Sequence, residues 1–270
     1  MTTDRQSPRP VGVIGLGAMG AGIAASLRRA GCRVHAYDIR PGVAAAFVEQ
    51  GGVACATLAD MAADCDIVVS VVVNASQTEA VLFGEGGIAS TLRPGSVFVM
   101  CSTVDPTWSA ALETRLAALG IHYLDAPISG GAAKAAAGQM TMMTAGTAAA
   151  YAACGDVLES MAGKVYRLGD RAGAGSKVKI INQLLAGVHI AAAAEAMALG
   201  LRAGVDAEAL YDVITHSAGN SWMFENRMPH VLAGDYTPLS AVDIFVKDLG
   251  LVLDTCLLYT SPSPRDKRQS

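Results

Sequence analysis

Through the first 165 residues, short runs of β-branched and other apolar residues alternate with Ala-rich stretches of helical period. Val11–Ile14, Arg33–Tyr37, Ile67–Val73, Val97–Met100, Tyr123–Asp125 and Met140–Thr144 predict strands. Ala18–Ala30 and Thr107–Leu119 predict helices between them. Strands that are apolar without a break need cover on both faces. The alternation therefore predicts βαβ units and a doubly wound, mainly parallel α/β sheet over 11–168.

Beyond the Gly-rich joint Leu168–Gly175 the rhythm changes. Lys177–Ala203, Ala207–His216, a segment around Ser221–Leu232 and Ala241–Thr255 all look helical, so an all-α second domain is expected over 173–255. Its first helix would be about 40 Å long at 1.5 Å per residue, a suitable spine. Within it, Ile180–Leu201 is apolar on average, yet Asn182, Gln183, His189 and Glu195 interrupt it. Those groups are costly in lipid, so the pattern predicts a buried helix and no membrane partner. The apolar pattern then breaks at Ser261-Pro262-Ser263-Pro264. Residues 256–270 resemble the in-frame translation of a sequencing-library adapter and are expected to be foreign to the fold, leaving the second domain truncated.

Composition narrows the function classes. With 52% apolar residues, 16% charged and a net charge of −4, the chain is expected to be ordered. Twenty basic residues against 24 acidic ones leave no electrostatic footprint for nucleic acid. The polar tail 1–10 has no apolar core of signal-peptide type, which points to the cytoplasm. The cysteines at 32, 55, 65, 101, 154 and 256 form no C-x-x-C pair. Cys32 and His35 are three apart without a second ligand pair, so no metal site is expected. The cysteines read as small buried apolar groups in a reducing compartment.

Gly15-Leu16-Gly17-Ala18-Met19-Gly20 lies between a predicted strand and a predicted helix, and Asp38 ends the second strand eighteen residues beyond Gly20. That context makes the G-x-G-x-x-G pattern a dinucleotide loop and the domain Rossmann-like. Gly15 permits the tight turn, Gly17 lets a pyrophosphate approach the backbone, and Gly20 lets the helix pack on the strand. Asp38 would accept from the adenosine ribose hydroxyls and repel a 2′-phosphate, favouring NAD; Arg40 nearby softens that preference.

Asp125-Ala126-Pro127-Ile128-Ser129-Gly130-Gly131 follows a strand at its carboxyl end, where open parallel sheets bind ligands. A Ser hydroxyl followed by two glycine amides suits a carboxylate; it also suits a plain helix cap. Further on, Lys179 and Asn182 share one face of the long helix, among Ile180, Ile181, Leu184 and Leu185. Lys179 there is either a desolvated base or a side chain snorkelling to water. A free lysine titrates near 10.4, and base catalysis at neutral pH needs that lowered by roughly three pH units, about 4 kcal/mol of environment. Lys177 points elsewhere on the helix and should be an ordinary surface charge.

Gly15–Gly20, Asp125–Gly131, Gly173–Asn182 and Lys247-Asp248-Leu249-Gly250 together resemble the β-hydroxyacid dehydrogenases, relatives of the 3-hydroxyisobutyrate and tartronate semialdehyde enzymes. The likeness runs from Val11 to Thr255. Segments 187–197, 219–228 and 235–248 are most like a branch acting on a four-carbon sugar acid. The resemblance implies Lys179 as general acid/base, Ser129, Gly130 and Gly131 on the substrate carboxylate, and Asn182 orienting the substrate. It further implies cofactor contacts from Asn74, Thr103 and Lys247, and a homo-oligomer if the second domain is complete. Imine reductases of similar architecture usually replace the lysine. A non-catalytic dinucleotide-binding protein would not need both the lysine and the Ser129–Gly131 loop.

Overall fold

The computed structural model describes residues 9–237 and 241–259. The chain divides into two compact units, Met1–Lys179 and Ile180–Ser270. The first unit runs β1 (Pro10–Ile14), α1 (Ala18–Arg29), β2 (Arg33–Tyr37), α2 (Val43–Val48), β3 (Val53–Ala54), α3 (Leu58–Asp64), β4 (Ile67–Ser70) and α4 (Ala75–Phe83). It continues through β5 (Val97–Met100), α5 (Pro106–Ala117), β6 (His122–Asp125), β7 (Ile128–Ser129), α6 (Gly131–Ala137), β8 (Met140–Gly146), α7 (Ala148–Met161) and β9 (Ala162–Arg167).

The sheet order is β3-β2-β1-β4-β5-β6-β8-β7, with β9 pairing β8. From β3 to β6 every pairing is parallel; β8 runs antiparallel to β6 and β7. This is the doubly wound arrangement expected from apolar strands separated by helices. One core layer includes Val11, Val13, Ile23, Val99, Leu124 and Leu158; the opposite layer includes Ile14, Met61, Val68, Phe98, Met100 and Leu112. Successive strand residues thus point into different cores, which is why the strands carry no polar alternation.

The strand predicted over Ile67–Val73 ends at Ser70. A strand extends only as far as its neighbours, and Ser70 pairs with Ile14, the last residue of β1, and with Met100, the last of β5. Val71–Val73 instead lead into α4, capped by Asn74. The edge strand β9 was not expected, because its sequence Ala162–Arg167 is mostly exposed and lacks an apolar run. Helix starts follow local chemistry: Thr57 and Asp60 form a capping box on α3, and Asp105 caps α5 ahead of Pro106.

In the second unit, α8 (Ala174–Arg202, which begins in the first unit) is followed by α9 (Ala207–Thr215), α10 (Trp222–Leu232) and α11 (Val242–Tyr259). Ala193, Met197, Phe224 and Met228 make its core, with Leu210, Tyr211 and Ile214 packed against them. Two expectations are corrected here. Much of α8 is exposed rather than buried: Ile181, Leu185, Val188 and Leu199 are all more than half exposed, because packing covers only one face. Cys256 is exposed and Cys32 half-buried, whereas the other four cysteines are buried as expected. By length and composition α8 alone among the described helices could cross a membrane. The helix α11 runs on through Cys256 to Tyr259; residues 260–270 and 1–8 lie outside the described residues.

Candidate active site

The parallel strands end nearly flush. Ile14 is level with Tyr37 and Ser70, Ser70 with Met100, and Met100 with Asp125. The segments leaving those ends therefore lie along one edge, and they carry Gly15–Gly20, Asp38, Asn74, Thr103 and Ser129–Gly131. Parallel register sets the ends that carry Gly15–Gly20, Asp38, Asn74 and Thr103 on one edge, and the antiparallel pairing of β7 with β8 places Ser129 after the end of β6.

The glycine loop fits a dinucleotide. Gly15 has φ +89°, and a Cβ there would stand 2.9 Å from the Val71 carbonyl oxygen. At Gly20 a Cβ would fall 1.8 Å from the Gly15 carbonyl oxygen, whereas at Gly17 it would meet nothing within 4 Å. Two glycines thus close the turn and seat α1, and the third leaves a bare backbone facing open space, as an approaching pyrophosphate requires. Ala18 and Met19 open α1, and buried Leu16 donates its N–H to Asp38 Oδ2 at 2.7 Å.

Asp38 is more heavily engaged than its sequence position suggests. Arg40 donates to it from its backbone N, from Nε to Oδ1 and from Nη2 to Oδ2, each at 2.9 Å. With the Leu16 N–H, these donors fill the four lone-pair directions of a carboxylate. Ribose hydroxyls would need the Arg40 side chain, 58% exposed, to swing aside. The guanidinium, helped by both backbone donors, holds the Asp38 carboxyl down to about 2 from 3.8. A carboxyl held below its unfolded value stabilises the fold fully above about pH 4, and that stabilisation is lost as pH falls through about 2. It is worth about 2 kcal/mol. In urea denaturation of the cofactor-free chain, Asp38→Asn should trail the parent by about that amount near pH 6, and by roughly a third of it near pH 2.5. An equal gap at both pH values would show that the carboxylate's charge is not the source.

Asn74 caps α4, its Oδ1 accepting from the Gln77 N–H at 2.8 Å, so any cofactor contact would share a structural duty. Thr103 is half-buried in the segment between β5 and α5. Ser129 pairs with Thr141 at the end of β7; Gly130 and Gly131 follow with φ +136° and +77°. A Cβ on Gly131 would meet nothing within 4 Å, so its backbone faces open space, whereas one on Gly130 would stand 2.9 Å from Lys134 Cβ.

Lys179 does not snorkel. It is 7% exposed, and its Nζ donates to the Ile128 carbonyl oxygen at 2.8 Å, on the residue before Ser129. Lys177, two residues earlier on the same helix, is exposed. Asn182 and Lys247 belong to the second unit, on α8 and α11, and two residues without an expected role join them. Asn182 Nδ2 donates to Gln183 Oε1 at 3.0 Å, Gln183 Nε2 donates to Asp248 Oδ2 at 2.6 Å, and the Lys247 ammonium pairs with Asp248 Oδ1 at 2.9 Å. Gln183 and Asp248 are buried. Each adjoins a predicted site residue in sequence, and that adjacency is the signal that could have found them.

Comparison with known proteins gives the family. Residues 10–169 match the NAD binding domain of 6-phosphogluconate dehydrogenase, and residues 173–264 match the NAD-binding family of NADP-dependent 3-hydroxyisobutyrate dehydrogenase. The chain belongs to the 3-hydroxyisobutyrate dehydrogenase-like family of NAD(P)-dependent hydroxyacid dehydrogenases. It is 66% identical to the L-threonate dehydrogenase of Cupriavidus necator, over 95% of this chain and 86% of that one. It is 52% identical to the L-threonate dehydrogenase of Escherichia coli K12, over 94% and 84%. Among solved structures, a 3-hydroxyisobutyrate dehydrogenase from Salmonella typhimurium aligns with a TM-score of 0.88 and 51% identity, covering 96% of this chain and 91% of that one.

Proposed function

We propose that this chain oxidises L-threonate to its 2-oxo acid with NAD, using Lys179 as the general base. The observation that carries the chemistry is the buried side-chain amine of Lys179 on the Ile128 carbonyl, one residue from the Ser129–Gly131 loop. A bound nicotinamide supplies the hydride acceptor. The chain's part is to bind, orient and move one proton. Ser129 and the N–H groups of Gly130 and Gly131 hold the substrate carboxylate. The amine of Lys179, in its neutral form, takes the proton of the substrate hydroxyl as the carbon–hydrogen bond breaks, and becomes an ammonium; in the reverse direction it returns that proton. Asn182 orients the substrate hydroxyl and Lys247 contacts the cofactor. Asp38 favours NAD over NADP, and the exposed apolar residues of α8 suit contact with a second copy of the chain.

The substrate is read from the L-threonate dehydrogenases at 66% and 52% identity. A second reading, 3-hydroxyisobutyrate, is favoured by the solved structure so named at 51% identity. A panel of L-threonate, 3-hydroxyisobutyrate and glycerate, each with NAD and with NADP, separates them. We expect the highest kcat/KM for L-threonate with NAD; faster turnover of either three-carbon-chain acid would reverse the substrate assignment.

A further inference from the structure

Asp125 ends β6 and is completely buried. Its Oδ2 accepts from the backbone N–H groups of Gly173, at 2.8 Å, and Ser176, at 2.9 Å, and its Oδ1 accepts from the Ser176 hydroxyl at 2.7 Å. These donors lie at the start of α8, where backbone N–H groups lack intrahelical partners. The carboxylate thus caps the helix from the end of a strand some fifty residues away in sequence. Burial pushes its carboxyl up, while the bonds from Ser176, Gly173 and Ser109 pull it back. The approach is close as well as polar. A Cβ on Gly175 would stand 2.4 Å from the Met143 carbonyl oxygen and 3.2 Å from Asp125 Oδ2, so only glycine lets the helix sit this deep.

Lys179 lies three residues after Ser176, nearly one helical turn. Its Nζ is bonded to Ile128, three residues after Asp125. Helix and loop are therefore tied at two rungs, Asp125 to Ser176 and Ile128 to Lys179, which closes a ring through the backbone of both segments. We propose that Asp125, acting through Ser176, is a positioning residue that sets where the Lys179 amine stands beside the Ser129–Gly131 loop. This rests on the reading of Lys179 as the general base.

The test is Ser176→Ala in the full chain, measured beside Lys179→Ala and the double variant. Ser176→Ala should leave NAD affinity unchanged and the KM for L-threonate within threefold, and lower kcat per folded active site by 10- to 100-fold. In the Lys179→Ala background, followed by hours-long progress curves, the same substitution should change the residual rate less than twofold, because there is no amine left to misplace. A kcat within twofold of the parent, or an equal loss in both backgrounds, overturns the proposal. Full activity in Lys179→Ala alone sinks the reading of the lysine instead. Asp125→Ala removes the acceptor of all three bonds and should lose more kcat than Ser176→Ala; should it fail to fold, Ser176→Ala decides.

Discussion

Replacing Lys179 by Ala should lower kcat by roughly three orders of magnitude while leaving NAD binding unchanged, within the range that removal of a positioned acid/base produces. The amine is buried and held against the Asp125–Gly131 loop. It is also remote in sequence from the glycine loop, so cofactor affinity, read by quenching of protein fluorescence, is the internal control. The substitution leaves the Ile128 carbonyl oxygen without this donor, at a stability cost of about 1–3 kcal/mol. The comparison should therefore be made per folded active site. Lys177→Ala, on the exposed side of the same helix turn, should be silent in both assays. Turnover of Lys179→Ala within a few-fold of the parent would exclude the amine from proton transfer.

The second large effect is expected at Gly20. An added Cβ would sit 1.8 Å from the Gly15 carbonyl oxygen and 2.9 Å from its carbonyl carbon. Both are backbone atoms of the turn, and the turn itself is locked at positive φ against Val71. No flexible side chain can yield, so α1 or the β1 turn must move bodily. Gly20→Ala should cost on the order of 4 kcal/mol or more, in the range reserved for overpacking and backbone strain. Gly17→Ala is the contrast. Its backbone, at φ −68°, suits any residue and the space around it is open. That variant should melt within a few degrees of the parent yet bind NAD at least tenfold more weakly, because the methyl group occupies the path of the pyrophosphate. Equal melting temperatures for the two variants would contradict the packing argument.

How much of this was legible beforehand varies with the range of the interaction. Strands β2 and β5 fall where the apolar pattern places them, and Ala18 starts α1 directly after the glycine loop. The two-residue β3 and the exposed β9 carry too little periodicity to be read. Among the site residues, Lys179 could be read two ways from spacing alone, since Ile180 and Leu184 flank it whether it is buried or snorkelling; Leu184 itself is 40% exposed. Arg40 was placed near Asp38 by sequence, but its double hold on the carboxylate was not.

From sequence alone came the alternation of strand and helix and the glycine turn with its acidic partner. Each is determined within one turn or one strand period, where composition and spacing carry the physics. Tertiary structure alone chose the partners of the buried polar groups. Asp125 meets Ser176 across 51 residues, Lys179 meets Ile128 across 51, and Gln183 meets Asp248 across 65. A hydrogen bond needs its atoms within about 3 Å. Which distant segment comes that close is settled by sheet register and helix packing, and no local pattern encodes it.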